Sequence, residues 1–340
     1  MTVDLGPYLD AVPDAVVERI SSARRVLAVG HENPDADTLG ATLAVARIVE
    51  RRGGRADAVC TDPVPALYDF LPDVGRFRTD PDPDAAYDLV VISDCGSLDR
   101  IGAVRERHAA LFERLPRVIL DHHASNDGAV HAADWVDPAA AATCEMATLL
   151  ALRLDVPLDA DGGRLASALM AGIVMDTATF AHPNATPRTL AVSAALVEAG
   201  APLSDISRRL YRTKPDRQLR LFGRVLDRLR TDDDGRIVWS TLLDADLEAT
   251  GTEASHSEGI IDLLAQSDTA EVAILFKQAG AATRLSVRTK PGGVDATVLT
   301  GRFGGGGHAR AAGATVDLPP DRATEPVLAE AARLARSVVR

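Results

Sequence analysis

One stretch decides the fold: VLAVGHENPDAD, residues 26–37, in which an apolar strand-like run leads into a turn that carries His31, Asp35 and Asp37. Open α/β sheets build their sites at such carboxyl ends of strands. Asp35 and Asp37 are separated by one residue, so without a partner their carboxylates would repel each other or take up a proton. A divalent cation removes that cost, because hard cations prefer oxygen ligands with some imidazole. The alternative is a polar turn that caps a helix beginning near Thr38.

The same design recurs at three later points, where an apolar run ends at an acidic residue. These are Asp94 after residues 89–93, Asp121-His122-His123 after residues 117–120, and Asp176 after residues 172–175. Parallel strands would bring such carboxyl ends together at one edge of a sheet. Each aspartate alone is more often a helix cap than a metal ligand. Together with the stretch that carries His31, Asp35 and Asp37, these three acidic positions predict a site for two metal ions.

Strand-like and helix-like segments alternate over residues 1–190, which predicts an α/β domain with a doubly wound parallel sheet. Strands are expected near 26–30, 57–60, 88–93 and 117–120, and helices near 39–52, 144–154 and 163–175. Thr186 is expected to cap a further helix, because Pro187 follows it at the first helical position.

Residues 191–232 are expected to form a helical linker, and most of it is strongly basic. The basic part spans residues 203–230 and includes Arg208, Arg209, Arg212, Lys214, Arg217, Arg220 and Arg224. One interpretation is a solvated helix face that bridges two domains. The other is that Tyr211, Arg212 or Lys214 lines a cleft and attracts phosphate. Both interpretations stay open at this point.

Residues 233–340 are expected to form a smaller α/β domain. Strands are predicted at 236–241, 271–276 and 284–289, with a hairpin turn at Ala279-Gly280-Ala281 and a final helix at 324–338. Four glycines at 304–307 would let backbone N–H groups approach an anion, and a helix N-terminus is expected to follow them. A flexible loop explains the glycines but not the His308 and Arg310 that come directly after them.

The composition is typical of a cytoplasmic enzyme. The chain has 340 residues, enough for two cores, and its formal net charge of −12 argues against a basic track for duplex DNA. No apolar stretch approaches the roughly 18 residues of a membrane helix, and the N-terminus lacks the layout of a signal peptide. The three cysteines, Cys60, Cys95 and Cys144, are widely spaced, so neither a disulfide framework nor a thiolate zinc site is expected.

The acidic stretches resemble the four ordered motifs of the DHH phosphoesterase superfamily, in both order and spacing. The matching residues are His31, Asp35 and Asp37, then Asp94, then Asp121-His122-His123, then Asp176. The later stretch GGGGHARAAG, residues 304–313, resembles the glycine-rich signature of the associated DHHA1 domain. The resemblance covers nearly the whole chain and is greatest to the nano-RNase/pAp-phosphatase group of bacterial oligoribonucleases.

The resemblance implies two metal ions that share one ligand. One ion would be held by His31, Asp35 and Asp94, and the other by Asp37, Asp94, His122 and Asp176. Asp121 would orient a ligand through a hydrogen bond, and His123 would face the scissile phosphate. The expected catalytic residues are therefore Asp94, Asp121 and His123. Oxygen-rich ligands with two imidazoles favour Mn²⁺, with Mg²⁺ or Co²⁺ as substitutes.

The implied activity is hydrolysis of short RNA oligonucleotides and of linear dinucleotides such as pApA, and conversion of pAp to AMP, by a water that the two ions activate. Cyclic di-AMP is an extension of the same substrate class. The expected substrate contacts are His123, Arg288, Gly305, Gly306, Gly307, His308 and Arg310. No duplex DNA and no membrane is expected as a partner, and a homodimer is usual in this group.

Three alternatives remain beside this reading. A RecJ-like single-strand DNA exonuclease also carries DHHA1, but it is usually longer. An inorganic pyrophosphatase shares the motifs of the first domain but lacks the GGGGH run. A nucleotide sensor with a degenerate site would have lost ligand positions, and every expected position is filled here. The enzymatic alternatives differ in substrate, so pyrophosphate, pAp, pApA and a long single strand would separate them.

Overall fold

The computed structural model describes residues 3–126, 128 and 130–338, and the chain divides into two compact units, Met1–Thr213 and Lys214–Arg340. Each unit contains hydrophobic cores of its own. The α/β class predicted from the sequence is confirmed, with a parallel sheet in the first unit and a mixed sheet in the second.

Five parallel strands form the sheet of the first unit, in the order β2-β1-β3-β4-β5. They are β1 (Arg25–Val29), β2 (Arg55–Val59), β3 (Leu89–Ser93), β4 (Arg117–Asp121) and β5 (Trp135–Val136). The order reverses at β1, because β2 lies on one side of it and all later strands lie on the other. Open α/β sheets bind ligands beyond the carboxyl ends of the strands at such a point. The fold therefore places the residues that follow β1 and β3 side by side.

Helices cover both faces of this sheet. They are α1 (Gly6–Leu9), α2 (Asp14–Ser22), α3 (Ala36–Arg51), α4 (Ala103–Arg107), α5 (Ala109–Arg114), α6 (Thr143–Arg153), α7 (Ala160–Asp176), α8 (Pro187–Glu198) and α9 (Leu203–Tyr211). Alternate strand residues point to opposite faces. Val26 and Ala28 pack in the core that α3, α6 and α7 share, whereas Leu27 and Val29 pack in the core of α4. Each face of the sheet thus packs against its own layer of helices, which is the arrangement of a doubly wound sheet.

One strand-like prediction is wrong. The run 172–175 was expected to deliver Asp176 from a strand end, but it forms the last turn of α7, as the helix predicted at 163–175 implied. A short apolar run fits a helix buried on all sides as well as it fits a buried strand. Asp176 therefore reaches the site from a helix end.

Helix α8 begins where the sequence predicted. Thr186 caps α8, since its hydroxyl accepts a hydrogen bond from the Thr189 amide at 3.2 Å, and Pro187 is the first helical residue.

Within the described ranges, no single helix is both long and apolar enough to cross a membrane. Only α8 and α9 taken together meet that criterion, and a bend of 113° separates them.

The second unit is built on a six-stranded sheet in the order β10-β11-β9-β8-β7-β6, in which only β7 and β8 run parallel. Its strands are β6 (Arg230–Thr231), β7 (Ile237–Leu242), β8 (Val272–Ala279), β9 (Ala282–Thr289), β10 (Gly306–His308) and β11 (Ala311–Val316). Its helices are α10 (Asp216–Leu226), α11 (Asp244–Thr250), α12 (Ile260–Leu264), α13 (Ala296–Gly301) and α14 (Pro320–Ser337). The predicted linker, 191–232, includes most of α8, all of α9 and α10, and its limits stay a prediction.

The hairpin predicted around Gly280 is confirmed, because Ala279 pairs with Ala282 and Gly280 has φ +62°. The prediction of a helix after the glycine run 304–307 is wrong. Strand β10 begins within that run and turns into β11.

The glycine run has a packing reason. A Cβ atom at Gly305 would lie 2.1 Å from the Gly313 carbonyl oxygen, and one at Gly307 would lie 2.6 Å from the Ala311 carbonyl oxygen. Only glycine allows this approach of the two backbones. The β10–β11 pairing therefore requires glycine at 305 and 307, whatever else these two residues contact.

Candidate metal centre

The first ligand group consists of His31, Asp35 and Asp94, whose ligand atoms lie within 4.8 Å of one another. His31 follows β1 and Asp94 follows β3, so the reversal of strand order brings them together. The His31 Nδ1–H donates to the Glu32 carbonyl oxygen at 2.6 Å, which leaves Nε2 directed towards Asp94 Oδ2 at 3.6 Å. An imidazole fixed in this way offers its free nitrogen to a metal.

Asp35 is both a helix cap and a candidate ligand. Its Oδ1 accepts hydrogen bonds from the amides of Asp37 at 3.0 Å and Thr38 at 3.1 Å, so it caps α3. The second carboxylate oxygen stays available to the group formed with Asp94. Burial, and next the Asp94 charge, raise the pKa of Asp35. The two interpretations of this turn, cap and ligand, are therefore compatible.

The second group consists of Asp37, His122 and Asp176. Asp37 lies in the first turn of α3, His122 follows β4, and Asp176 ends α7. The His122 Nε2 atom lies 3.2 Å from Asp176 Oδ2 and 3.6 Å from Asp94 Oδ1. Asp94 thus lies next to both groups, as expected of the shared ligand that the family resemblance implies.

The amino end of α6 holds Asp37 in place. The two carboxylate oxygens of Asp37 accept hydrogen bonds from the amides of Thr143 at 2.7 Å and Cys144 at 2.8 Å. A helix N-terminus stabilises a negative charge. Sequence reasoning missed these two residues, because no local pattern connects them to Asp37.

Asp94 is held by two hydroxyl groups. Thr38 Oγ1 donates to Asp94 Oδ2 at 2.7 Å, and Thr143 Oγ1 donates to Asp94 Oδ1 at 3.2 Å. Burial acts to raise the pKa of Asp94, but the hydrogen bond and charge of His31, the charge of His122 and the Thr38 hydrogen bond together hold the pKa below its usual value. Asp94 also has φ +60°, a conformation that costs a non-glycine residue energy and that clusters at functional sites.

Asp121 orients His123. The His123 Nδ1–H donates to Asp121 Oδ1 at 2.7 Å, and Asn126 Nδ2 donates to Asp121 Oδ2 at 2.5 Å. Asn126 also donates to the Cys95 carbonyl oxygen at 2.9 Å, which ties the loop after β4 to the loop after β3. The hydrogen bond to Asp121 raises the pKa of His123, against the effect of burial. Sequence reasoning missed Asn126 altogether.

The buried carboxylates favour a cation. Burial, and next the charges of their acidic neighbours, raise the pKa values of Asp37 and Asp176 well above the usual range. Carboxylates and imidazoles in this proportion form a donor set that suits hard or borderline divalent ions. The residues present therefore fit two divalent cations. The thiols of Cys95 and Cys144 are buried, and neither belongs to a candidate ligand group among the described residues.

Among the predicted substrate contacts, the structure brings Arg288 and His308 to one face of the second sheet. On the neighbouring strands β9, β11 and β10, Arg288 pairs with Ala311, and Ala311 pairs with His308. Cross-strand partners project from the same face of a sheet, so the three side chains share one face. Arg288 Nε donates to Asp262 Oδ1 at 3.0 Å. Arg310 does not join them, because its Nη1 atom donates to the Lys290 carbonyl oxygen at 2.5 Å. Arg310 thus fastens a loop, and the substrate roles stay predictions.

Three of the seven cations named for the basic helical segment form ion pairs within the described ranges. Arg208 and Arg209 form ion pairs with Asp205 on α9, which fits the solvated-face interpretation. The Tyr211 hydroxyl donates to the Met175 carbonyl oxygen at 2.7 Å, next to Asp176. Lys214 lies over the Phe222 ring at 5.5 Å. Tyr211 therefore supports the helix end that carries a candidate ligand.

Two family models match the chain in order: the N-terminal domain of the DHH family at residues 25–173 and the DHHA1 domain at residues 235–339. A "Bifunctional oligoribonuclease and PAP phosphatase" of Thermus thermophilus is 31% identical over 88% of this chain and 86% of its own. A protein of the same name from Bacillus subtilis is 26% identical over 88% and 92%. An exopolyphosphatase-related protein of Bacteroides fragilis has the same fold, with a TM-score of 0.87, 19% identity and coverage of 97% and 98%. The chain belongs to the DHH/DHHA1 phosphoesterase superfamily, as its motifs predicted.

Proposed function

We propose that this chain is a metal-dependent phosphoesterase that hydrolyses short oligoribonucleotides and linear dinucleotides such as pApA, and removes the 3′-phosphate of pAp. The observation that carries the proposal is the convergence of candidate ligand groups around Asp94, which combine histidines with buried and half-buried carboxylates. The names of the relatives from T. thermophilus and B. subtilis support the class of substrate.

Two divalent cations fit the site. His31, Asp35 and Asp94 would hold one, and Asp37, His122 and Asp176 would hold the other with Asp94 between them. Cations held in this way supply Lewis-acid chemistry, because they polarise phosphoryl oxygens and make water easier to deprotonate. Mn²⁺ suits this donor set, with Mg²⁺ or Co²⁺ as substitutes.

The protein's own contribution is to hold these groups in a fixed arrangement. The Glu32 carbonyl sets the tautomer of His31, and the start of α6 fixes both oxygens of Asp37. The hydroxyls of Thr38 and Thr143 do the same for Asp94. A site that is ordered before the reaction needs little reorganisation when charge develops on phosphorus, and such preorganisation is a large part of catalysis.

His123 is the residue placed to handle a proton. Its Nδ1–H is engaged by Asp121, so Nε2 is the nitrogen that can face a substrate. The raised pKa keeps Nε2 protonated to higher pH. We propose that the Nε2–H donates to the scissile phosphate and stabilises the charge that builds up there.

Arg288 and His308 of the second unit are proposed to bind the nucleotide. Binding energy from a part of the substrate that does not react can orient the part that does. Cyclic di-AMP as a substrate, a homodimer and a cytoplasmic location stay predictions.

The proposal is tested by hydrolysis of pApA and pAp with Mn²⁺ present. We expect Asp94→Asn and Asp176→Asn each to lower kcat/KM by a factor of about a thousand or more. Each substitution removes a negatively charged ligand from the site proposed for two cations. Asp80→Asn is the matched control, since Asp80 pairs with Arg107 and His108 at the surface of the same unit. Activity of both site variants near that of the control would overturn the proposal.

The same assay separates the alternatives. Pyrophosphate and a long single-stranded DNA are offered beside pAp and pApA at equal concentration. Preference for the two adenine nucleotides supports the proposal. Hydrolysis of pyrophosphate alone would identify a pyrophosphatase, and hydrolysis of the long strand alone would identify a RecJ-like exonuclease.

A further inference from the structure

One face of the second sheet is covered by helices only in part. Leu275 and Val238 on this face pack beneath α10 and α12 in a core of their own. The same face continues over β9, β11 and β10, where the side chains are small or charged and remain accessible. Accessible strand surface of this kind is available to a ligand.

The register arranges this face in three rows across the strands. The first row holds Arg288, Ala311 and His308; the second holds Ser286, Gly313 and Gly306; the third holds Lys277, Arg284 and Thr315. The middle row therefore forms a floor without bulky side chains. Cations flank the floor at both ends. Arg284 and Arg288 are four residues apart on β9, so their Cα atoms are separated by about 13 Å.

The cations of the third row form no ion pair with the residues that the structure describes. Lys277 and Arg284 are direct cross-strand partners, and no carboxylate of the described ranges lies within 4 Å of either cation. Like charges opposite each other on a sheet destabilise it. Partial burial, and next the Arg284 charge, lower the pKa of Lys277, while Glu258 acts in the opposite direction. Arg288, by contrast, has Asp262 as a partner.

We propose that Lys277 and Arg284, with the hydroxyl of Thr315 beside them, form a second phosphate-binding subsite, which takes the non-reacting phosphate of the nucleotide that Arg288 and His308 bind. The floor at Gly313 gives the nucleoside room between the two ends. The inference rests on the proposed function, which it makes more specific: the favoured ligand has phosphates on both sides of one nucleoside, as pAp has.

The physical reason is that an anion relieves the repulsion between Lys277 and Arg284. Hydrogen bonds between charged partners are roughly twice as strong as neutral ones, and an arginine can bind phosphate through two N–H groups at once. A terminal phosphate placed there contributes binding energy without taking part in the reaction. Loss of that phosphate therefore raises Kd and KM rather than lowering kcat.

Calorimetric titration of the full chain, with EDTA to prevent turnover, measures the effect directly. The ligands are pAp, adenosine 3′-phosphate, which lacks the 5′-phosphate, and inorganic phosphate. We expect wild type to bind pAp at least about tenfold more tightly than adenosine 3′-phosphate. Arg284→Ala and Lys277→Gln should each remove most of this preference and leave the affinity for adenosine 3′-phosphate unchanged.

Arg322→Ala is the matched control, because it removes one exposed arginine from α14, which packs on the opposite face of the same sheet. It should preserve the preference for pAp. Inorganic phosphate that competes as well as pAp would show a free-anion site and overturn the proposal. Equal weakening of both nucleotides by Arg284→Ala would also overturn it, since the residue would then not be specific for the 5′-phosphate.

A steady-state assay with Mn²⁺ keeps the two proposals distinguishable. Arg284→Ala should raise KM for pAp about tenfold at unchanged kcat. If the chain hydrolyses neither pAp nor pApA, the proposed function fails, whereas the titration still decides the subsite. If hydrolysis proceeds and the titration shows no preference for pAp, only the subsite is lost.

Discussion

At the scale of single residues, the raised pKa of His123 depends mainly on its hydrogen bond to Asp121. Asp121→Asn replaces the charged acceptor with a neutral group, so the His123 pKa should fall towards its usual value and less imidazolium should be present at neutral pH. We expect kcat for pApA to fall about ten- to a hundredfold. NMR titration of the His123 ring measures the shift.

Asp80→Asn is again the control, because Asp80 pairs with a different histidine, His108. It should leave the His123 titration and the turnover of pApA unchanged. A His123 pKa that stays raised in Asp121→Asn would show that another group, such as Asp94, supports the imidazolium.

The positions of the candidate ligands could be predicted because each follows a short apolar run that is visible in the sequence. The groups that hold them could not be predicted in the same way. The Thr143 amide lies 106 residues from the Asp37 that it binds, and only the packing of α6 against α3 brings the two together. Local patterns contain no information about such a contact.

At the scale of elements, the close approach of α7 to α3 depends on Gly172, which faces α3. A Cβ atom there would lie 2.4 Å from both Asp37 Oδ1 and Cys144 Sγ. Gly172→Ala should therefore destabilise the first unit by about 1–3 kcal/mol and weaken Mn²⁺ binding, because it displaces a ligand as well as a helix. Urea unfolding and calorimetric titration with Mn²⁺ measure the two effects.

Gly223→Ala provides the comparison, because nothing lies within 4 Å of a Cβ atom at that exposed position of α10. Alanine favours a helix over glycine, so this variant should be more stable by about 0.5–1 kcal/mol and bind Mn²⁺ normally. Similar behaviour of the two variants would mean that the α3–α7 contact adapts easily.

A buried carboxylate connects α10 to α11. The Asp246 side chain accepts hydrogen bonds from Arg224 Nε at 2.9 Å and from Arg228 Nη2 at 2.6 Å. Although burial acts to raise it, the hydrogen bonds, foremost that from Arg228, lower the Asp246 pKa from 3.8 to about 2. Because the pKa is lower in the folded state, the resulting stability, about 2 kcal/mol, is present in full above pH 4 and is lost as the pH falls through about 2.

Asp246→Asn should remove this acid-dependent part of stability. We expect the variant to unfold more easily than wild type at pH 7, with the difference shrinking between pH 4 and pH 2. Urea unfolding at a series of pH values measures it. A difference that is constant over this range would assign the effect to lost hydrogen bonds rather than to charge.

Elements were predictable where the pattern of apolar residues admits one interpretation. The strands β1, β3 and β4 and the hairpin at Gly280 belong to this class. The run 172–175 does not, because four apolar residues suit either a strand or a fully buried helix. The glycine run 304–307 was misjudged for another reason: its glycines permit close pairing of β10 with β11, which depends on a partner strand rather than on a helix that follows.

At the scale of the whole molecule, the candidate metal ligands all belong to the first unit, and each unit encloses its own cores. We therefore expect residues 1–213 and residues 214–340 to fold as separate fragments. Mn²⁺ at about a hundred times its Kd should stabilise the first fragment by about 2.7 kcal/mol, because an ion that binds only the folded state shifts the unfolding equilibrium. The second fragment should not respond to Mn²⁺ at all.

Differential scanning calorimetry of the two fragments and the intact chain, with Mn²⁺ and with EDTA, measures this division. The intact chain should show a transition that moves with Mn²⁺ and one that does not, at the temperatures of the two fragments. A single transition that moves as a whole would mean that the units unfold together. A first fragment that folds but does not respond to Mn²⁺ would mean that the candidate ligands converge without forming a metal site, and the proposed chemistry would lose its basis.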